Sequence, residues 1–319
     1  MKRVQYQEYG GAEVMTLDNT PLPKMADDEV LIAVKAFSLN EIDWKVRSGS
    51  LRVVTGFSFP RGMGADLAGV VEKAGSQVDD LREGDEVVGW LDFKHAGSYA
   101  EYAVVKAENV VKKPASVPFA EAACLPMVGA TARQALLREA KLKAGQTVLI
   151  NGCTGGLGHY AVQIAKQQGA IVTGTCRSEH REAAQQLGVD DVVDYTQHDI
   201  RQYGKTYDVI LDTSKHLPFT EAKLLLNSPG IYLNTQPGIP AFIGSFFNNL
   251  VSNKKNDVLG VTVQREDLLD LTERAAQQKL LTTIGKTFVF SDVIAAVTAA
   301  EQGELHVPGK IVVTLDPDV

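Results

Sequence analysis

The pattern of apolar and polar positions changes near Pro118 and divides the chain into two regions. Before this point, short apolar runs are separated by stretches rich in Gly, Ser and Asp, which predicts strands at residues 30–37, 69–73, 86–90 and 99–105. Strands this short and closely spaced are typical of a small barrel or sandwich. We therefore expect a β-rich domain at the start of the chain.

After Pro118 the chain alternates between helices and apolar strands. Ala-rich helical runs cover 119–139, and the predicted strands that follow are 148–151, 171–176, 192–195, 209–213, 231–235 and 258–263. This alternation predicts parallel pairing through right-handed crossovers, hence an α/β, doubly wound, six-stranded sheet. The tail departs from the alternation, with a strand at 286–290, a helix at 292–301 and a strand at 310–315. We expect it to return to the first domain.

Composition narrows the class of protein. The 319 residues suggest two domains of roughly 150 residues each, and 45% hydrophobic with 22% charged residues is an ordinary globular composition. The formal charge of −7 disfavours a nucleic-acid binder. No apolar run approaches the ~18 residues of a membrane span, and the start MKRVQYQEYGG lacks the apolar core of a secretory signal. The three cysteines form no CxxC pair, which predicts a reducing, cytoplasmic location.

A glycine-rich loop joins the predicted strand 148–151 to an amphipathic helix. Glycine permits positive φ and lets the backbone approach a pyrophosphate, while the helix N-terminus offers N–H groups to an anion. We expect a dinucleotide to bind at Thr154, Gly155, Gly156, Leu157 and Gly158. The alternative is a glycine-rich turn that merely closes a corner between strand and helix.

The residues at the end of the next predicted strand indicate which nicotinamide cofactor to expect. An NAD enzyme usually places an acid here to accept from the ribose 2′-hydroxyl, whereas this chain has Arg177, Ser178 and Arg181. A guanidinium suits a 2′-phosphate, which favours NADPH over NADH. Glu179 is the contrary residue, and we assign it to the start of the next helix. The alternative is that both arginines are ordinary solvated charges.

A series of ordered motifs resembles one known superfamily over nearly the whole chain. The motifs besides the glycine loop are SLNEIDWKVRSG, GADLAGVVEKAGSQV, REGDEVVG, AGSYAEYAVV, LPMVGATA and VPGKIVV. The chain resembles the medium-chain dehydrogenases/reductases, in particular the zinc-free quinone oxidoreductases of the chloroplast-envelope type and related enone reductases. The resemblance implies a GroES-like catalytic domain (1–123 and 282–319) around a Rossmann NADPH-binding domain (124–281), and a homodimer.

The chain departs from the zinc-dependent members of this superfamily. Asn40 and Ala65 stand where those enzymes carry a Cys and a His, and Met127 lies near their second Cys. No cysteine lies between Trp90 and Val105, so their structural zinc lobe is also missing. Because zinc needs three or four N, S or O ligands, we expect no metal site.

The resemblance also implies which side chains serve the reaction. Asn40 would touch the ribose or the substrate, and Asp43 and Lys45 would supply polar groups, with Lys45 as carbonyl donor or proton relay. The alternative for Lys45 is a surface lysine paired with Asp43. Thr131 would contact the nicotinamide side, unless its hydroxyl caps a helix start.

Further candidates follow the later strands. Tyr195 would lie near the adenosine, unless it is a plain core or edge tyrosine. Thr213, Ser214 and Gln236 end strands at the carboxyl edge of the sheet, where ligands bind in such folds. The phenylalanine-rich stretch 241–250 would either cover the substrate site, join a dimer interface or pack in the core.

Together these features predict an NADPH-dependent, metal-independent reductase. It would transfer hydride to an activated double bond (enone or enal) or to a quinone, with a small-molecule carbonyl or quinone as partner and neither nucleic acid nor a membrane span. One alternative is an NADPH-binding redox sensor or structural protein with little turnover. Another is an enoyl reductase for acyl-CoA substrates, for which the sequence shows no basic path to the CoA phosphates.

Overall fold

The computed structural model describes residues 1–214, 216–235, 249, 252–260 and 263–316. The chain forms two compact units, Met1–Met127 with Val263–Val319, and Val128–Thr262. The second boundary lies earlier than the 281/282 expected from the sequence. The segment after it therefore joins the first unit, including a helix at Arg265–Ala276 that the apolar pattern did not reveal.

Strands make up most of the regular secondary structure in the amino-terminal part of the first unit. Its strands are β1 (Lys2–Tyr6), β2 (Thr16–Asn19), β3 (Glu29–Ser38), β4 (Arg61–Gly62), β5 (Asp66–Ala74), β6 (Glu86–Trp90), β7 (Tyr102–Lys106) and β8 (Val110–Lys112), and its helices are α1 (Glu41–Arg47), α2 (Arg52–Thr55) and α3 (Phe119–Ala122). Strand β3 pairs with both β5 and β7 and buries most of its side chains. The predicted β-rich domain is confirmed.

The second unit is a layered α/β structure. After α4 (Pro126–Arg133), which begins just before the boundary, come β9 (Thr147–Asn151), α5 (Gly158–Gln167), β10 (Ile171–Cys176), α6 (Arg181–Gln186), β11 (Asp191–Asp194), β12 (Tyr207–Asp212), α7 (Phe219–Leu225), β13 (Leu226–Asn234) and β14 (Lys254–Val258). The six strands lie in the order β11-β10-β9-β12-β13-β14, and every pair is parallel. This is the Rossmann order, so the predicted doubly wound sheet is confirmed.

The sixth strand of this sheet is not where the apolar pattern placed it. The sixth strand exists, but β14 lies at Lys254–Val258 and starts four residues earlier than the predicted 258–263, and its sequence is largely polar. Residues 261 and 262 of the predicted range lie outside the described residues. As the edge strand, β14 is held through backbone pairing with β13, and the buried Asn256 donates its N–H to the Asn249 side chain at 2.8 Å. An edge strand held by such polar contacts needs no apolar run.

The carboxyl-terminal tail completes the first unit. Helix α8 (Arg265–Ala276) is followed by β15 (Ile284–Val289), α9 (Val293–Glu301) and β16 (Lys310–Thr314). Strand β16 pairs antiparallel with β3, with Val312 opposite Ser38. The tail therefore returns to the first domain as expected. This pairing brings the start of β16 next to the residues that follow β3.

No helix in the part of the chain that the structure describes is long and apolar enough to cross a membrane. Gln236 lies outside the described residues, as does the stretch 241–250 apart from Asn249.

Candidate active site and dinucleotide loop

Asn40 lies where β3 ends and α1 begins, and it is the N-cap residue of that helix. Its backbone N–H donates to the Asp43 carboxylate at 2.9 Å, because Asp43 is the third helical residue and its side chain reaches back to the cap. Both residues are 5% exposed. The structure thus brings two of the predicted site residues together in the interior of the first unit.

Burial dominates the electrostatics of Asp43. It raises the pKa of this carboxyl to about 7, and the nearby Asp66 adds to the rise. The Tyr99 hydroxyl opposes it by donating to Asp43 at 2.6 Å. The pKa of Tyr99 is in turn raised, first by burial and then by the neighbouring carboxylate.

A second buried carboxyl, Asp66, accepts three hydrogen bonds. Its Oδ2 accepts from the Asn40 Nδ2 at 2.8 Å and from the Ser38 hydroxyl at 3.0 Å, and its Oδ1 accepts from the Met127 backbone N–H at 3.1 Å. Burial raises the pKa of Asp66, and the charge of Lys310 opposes the rise. Asp66 is fully buried at the first position of β5.

Lys310 supplies the positive charge. Its side chain is buried, and its Nζ donates to the Leu39 carbonyl at 2.8 Å and to the Asn40 Oδ1 at 2.5 Å. We call Ser38, Asn40, Asp43, Asp66, Tyr99 and Lys310 the buried polar cluster. Four of its members, Ser38, Asp66, Tyr99 and Lys310, were not singled out by the sequence analysis, although each lies inside a quoted motif.

Lys45 does not join the buried polar cluster. Its ammonium forms an ion pair with Glu41 at 3.1 Å, one helical turn earlier, and its side chain is 30% exposed. Asp43, the alternative partner, is two residues away, and residues at that spacing do not face each other on a helix. The pairing of Lys45 with Asp43 was therefore wrong. Its role as donor or relay stays a prediction.

Thr131 lies in α4 of the second unit and is 5% exposed. Because it is near the carboxyl-terminal end of the Pro126–Arg133 helix, its hydroxyl cannot cap a helix start. The capping alternative was wrong. Its contact with the nicotinamide side stays a prediction.

The backbone of the glycine loop in the second unit explains two of its glycines, and the binding of a dinucleotide there stays a prediction. Gly152 has φ +88°, and a Cβ added at Gly158 would collide with the backbone oxygen of Gly152. Leu157 stands at the N-cap of α5 and has no side-chain oxygen, so its own side chain does not compete with an anion for the backbone N–H groups there. Gly155 and Gly156 are partly exposed between these points, and Thr154 is buried.

The carboxyl ends of β9, β10 and β12 carry a polar network. The Asn151 side chain donates to Asp212 at 2.9 Å and to Ser214 at 2.6 Å, and it accepts from the Thr175 hydroxyl at 2.6 Å. The predicted Thr213 donates its hydroxyl to the Asn151 carbonyl at 2.7 Å and so braces the strand end. Asn151, Thr175 and Asp212 were not predicted, although each ends a predicted strand or lies one residue from its end.

The residues after β10 offer positive charge. Neither Arg177 nor Arg181 makes an ion pair within the described part of the chain, and Arg181 is exposed. The Ser178 hydroxyl donates to Asp194, and this bond, with those from Thr196, holds the pKa of Asp194 below its ordinary value. Ser178 is therefore fixed by an acid at the end of β11.

Tyr195 follows β11 and is 51% exposed. Its backbone N–H donates to the Cys176 carbonyl at 3.2 Å, so the residue lies beside the end of β10. The core alternative for this tyrosine was wrong. An exposed ring at the carboxyl edge of the sheet is available to a flat ligand.

Comparison with known proteins places these two units in one family. Residues 26–115 match the model of the alcohol dehydrogenase GroES-like domain, and residues 156–277 match that of the zinc-binding dehydrogenase. The chain is 35% identical to the chloroplastic quinone-oxidoreductase QR1 of Triphysaria versicolor, over 98% of each chain. The structure of the quinone oxidoreductase from Coxiella burnetii matches this chain with a TM-score of 0.90 and 31% sequence identity, over 99% of each chain.

The chain belongs to the medium-chain dehydrogenase/reductase superfamily, in its quinone oxidoreductase branch. It is also similar to the chloroplastic NADPH-dependent alkenal/one oxidoreductase of Arabidopsis thaliana, with 39% identity over 66% of this chain and 57% of that protein. Two of these relatives are chloroplastic proteins, and the cytoplasmic location expected for this chain stays a prediction.

The donor set of this oxidoreductase does not fit the zinc that one family model carries in its name. No group of three His, Cys, Asp or Glu side chains that could hold a metal occurs among the described residues. At the predicted position, the Asn40 amide oxygen instead accepts from the Lys310 ammonium. Ala65 offers no side-chain ligand atom, and burial raises the pKa of the Cys124 thiol in the same unit to about 12.

Proposed function

We propose that this oxidoreductase uses NADPH to reduce an activated carbon–carbon double bond, in an enone or enal, or a quinone, without a metal. The observation that carries the proposal is the Asn40 carboxamide. One N–H of its Nδ2 donates to Asp66, and the other has no acceptor among the described residues. A fixed amide donor beside a buried ammonium can stabilise negative charge that develops on a carbonyl oxygen.

The second unit supports a dinucleotide. The glycine loop leaves no room for a side chain at Gly158, and α5 begins immediately after it. Arg177 and Arg181, without ion pairs in the described structure, supply guanidinium groups for a 2′-phosphate, which favours NADPH over NADH. The alkenal/one oxidoreductase similar to this chain is NADPH-dependent by name.

The chemistry divides between cofactor and protein. NADPH, when bound, supplies the hydride. For an enone, the β-carbon takes the hydride, the α-carbon takes a proton from water or a side chain, and the carbonyl oxygen carries negative charge in between. Asn40 donates to that oxygen, while Thr131 contacts the nicotinamide side and Lys45 remains a candidate proton relay. A quinone takes one hydride from NADPH and one proton to give the hydroquinone, in which both oxygens end as hydroxyl groups.

No step requires a metal, because hydrogen-bond donors can carry the charge that develops on an enolate or hydroquinone oxygen. This differs from simple alcohol oxidation, in which a Lewis acid stabilises the alkoxide. The residues around Asn40 supply a fixed amide and a buried cation, which suit the first reaction. The expected homodimer stays a prediction.

The test is NADPH oxidation against a short enone, a long-chain enone, an enal, a benzoquinone and a naphthoquinone, each repeated with NADH and after prolonged chelation. We expect NADPH-dependent turnover of at least one class, unchanged by the chelator. Tight NADPH binding without turnover would favour the redox-sensor alternative. Loss of turnover that zinc restores would overturn metal independence.

A further inference from the structure

The Asn40 carboxamide lies between the buried Lys310 ammonium and the buried Asp66 carboxyl group. Its Oδ1 accepts from the Lys310 Nζ at 2.5 Å, and its Nδ2 donates to the Asp66 Oδ2 at 2.8 Å. All three side chains are buried, with exposures of 5%, 3% and 0% for Asn40, Lys310 and Asp66. We call these three residues the amide clamp.

We infer that Lys310 is a positioning residue for the reaction, which holds the Asn40 carboxamide in the one orientation that presents its second N–H to the substrate oxygen. This inference rests on the proposed function. It names a residue at the far end of the chain, 270 positions from Asn40, that acts through Asn40.

The orientation follows from the chemistry of the clamp. An ammonium is a pure donor, and both Asp66 oxygens act as acceptors, toward Ser38, Asn40 and the Met127 N–H. The amide oxygen must therefore face Lys310 and the amide nitrogen must face Asp66. Rotating the amide by half a turn would set N–H against N–H and oxygen against oxygen in a buried site. Such unmatched buried groups are strongly disfavoured.

The clamp also polarises the amide. Positive charge at the oxygen and negative charge at the nitrogen both favour the charge-separated form of the carboxamide, and hydrogen bonds in a chain strengthen one another at low dielectric. The N–H that remains is thereby a better donor than that of a solvated asparagine. The Lys310 ammonium donates to the Leu39 carbonyl and to the Asn40 Oδ1, so its effect on the substrate passes through Asn40.

The backbone secures the position of the ammonium. Lys310 begins β16, its N–H donates to the Thr283 carbonyl at 2.8 Å, and β16 pairs with the end of β3 just before Asn40. The ammonium also donates to the Leu39 carbonyl. A lysine that served only as the counter-ion of Asp66 would not have to donate to the Asn40 amide oxygen, as Lys310 does.

The experiment compares Lys310→Met with the double variant Lys310→Met/Asp66→Asn, using a substrate that the wild-type chain reduces. The single variant leaves a buried carboxylate without its cation, so it loses stability as well as activity. The double variant removes both charges and restores stability. We expect its kcat to stay about tenfold or more below wild type, because the loss of one preorganised donor reduces kcat by roughly 10²–10³. The KM and Kd for NADPH stay unchanged.

Lys113→Met is the matched control. Lys113 is also buried, and its ammonium donates to the Pro114 and Val117 carbonyls and pairs with Glu86, away from the clamp. We expect this variant to lose stability and keep kcat per NADPH-binding site. A double variant with kcat within twofold of wild type would overturn the inference. A wild-type chain that reduces none of the substrates would overturn the proposed function and the inference together.

If the double variant does not fold, the wild-type chain provides a second readout. With ¹⁵N-labelled asparagine, the side-chain signal of Asn40 is identified by its absence in Asn40→Ala. We expect one set of signals, with slow solvent exchange of the Asn40 amide proton that is hydrogen-bonded to Asp66. Two sets of signals, or rapid exchange of both protons, would show a rotating amide and overturn the inference.

Discussion

The buried carboxyl of Asp43 predicts how the stability of the first unit depends on pH. Burial raises its pKa from 3.8 to about 7 in the folded chain, so the folded state holds a proton that the unfolded state releases. The stability that this proton contributes is complete below the unfolded pKa, and it is lost as pH rises through the folded pKa. We therefore expect Asp43→Asn, which cannot ionise, to gain stability relative to wild type as pH rises.

The magnitude follows from the two pKa values. Each pKa unit corresponds to about 1.4 kcal/mol, so the complete effect is about 4 kcal/mol, of which more than half develops between pH 5 and pH 8. The substitution preserves the local contacts, because an amide oxygen can still accept from the Asn40 N–H and the Tyr99 hydroxyl.

Urea unfolding followed by tryptophan fluorescence measures the stability of the first unit, which contains Asp43. The chain has two tryptophans, Trp44 and Trp90, and both belong to the first unit. Asp85→Asn is the control, because the hydrogen bond from Lys112 lowers the pKa of Asp85. Any pH dependence of stability that Asp85 causes is therefore confined to pH values below 5. The control should therefore differ from wild type by a constant amount from pH 5 to pH 8. A constant difference for Asp43→Asn as well would show that Asp43 is ionised throughout and refute the reasoning.

Two further predictions concern the choice of cofactor and a buried ion pair between the two ends of the chain in the first unit. Replacing Arg177 and Arg181 by Ala should raise the Kd for NADPH tenfold or more, at about 1.4 kcal/mol per decade, and leave the Kd for NADH nearly unchanged in fluorescence titrations. Arg201→Ala is the control variant. An equal loss of affinity for both cofactors would contradict the assignment of the two arginines to the 2′-phosphate. The fully buried Arg47 donates to both carboxylate oxygens of Glu301 at 2.7 and 2.6 Å. Arg47→Met should therefore cost about 3 kcal/mol in urea unfolding, with partial recovery in Arg47→Met/Glu301→Gln, and a loss under 1 kcal/mol would count against this pair.

Local rules account for the parts of the structure that were predicted well. The strands of the second unit follow from apolar runs bounded by turns, and the glycine loop follows from positions such as Gly158 where a side chain has no room. The exception is β14, whose polar residues are held by backbone pairing at the edge of the sheet. Apolar periodicity reports burial and does not report edge pairing.

Lys45 illustrates a prediction that the sequence could have made better. Its partner Glu41 is four residues earlier, at the spacing where helical side chains meet, whereas Asp43 is two residues away on another face. The candidate role of Lys45 came from its place in a family-like motif. The helix geometry that decides its partner was available once α1 was recognised.

The sequence by itself determined the alternation of strands and helices, the glycine loop, the arginines after β10, and the resemblance to the family. Only the tertiary structure decided that Lys310 meets Asn40 and that Asp66 accepts from the same amide. The physical reason is that the partner of a buried charge is set by strand pairing across the sheet. The pairing of β16 with β3 joins positions that no local pattern relates.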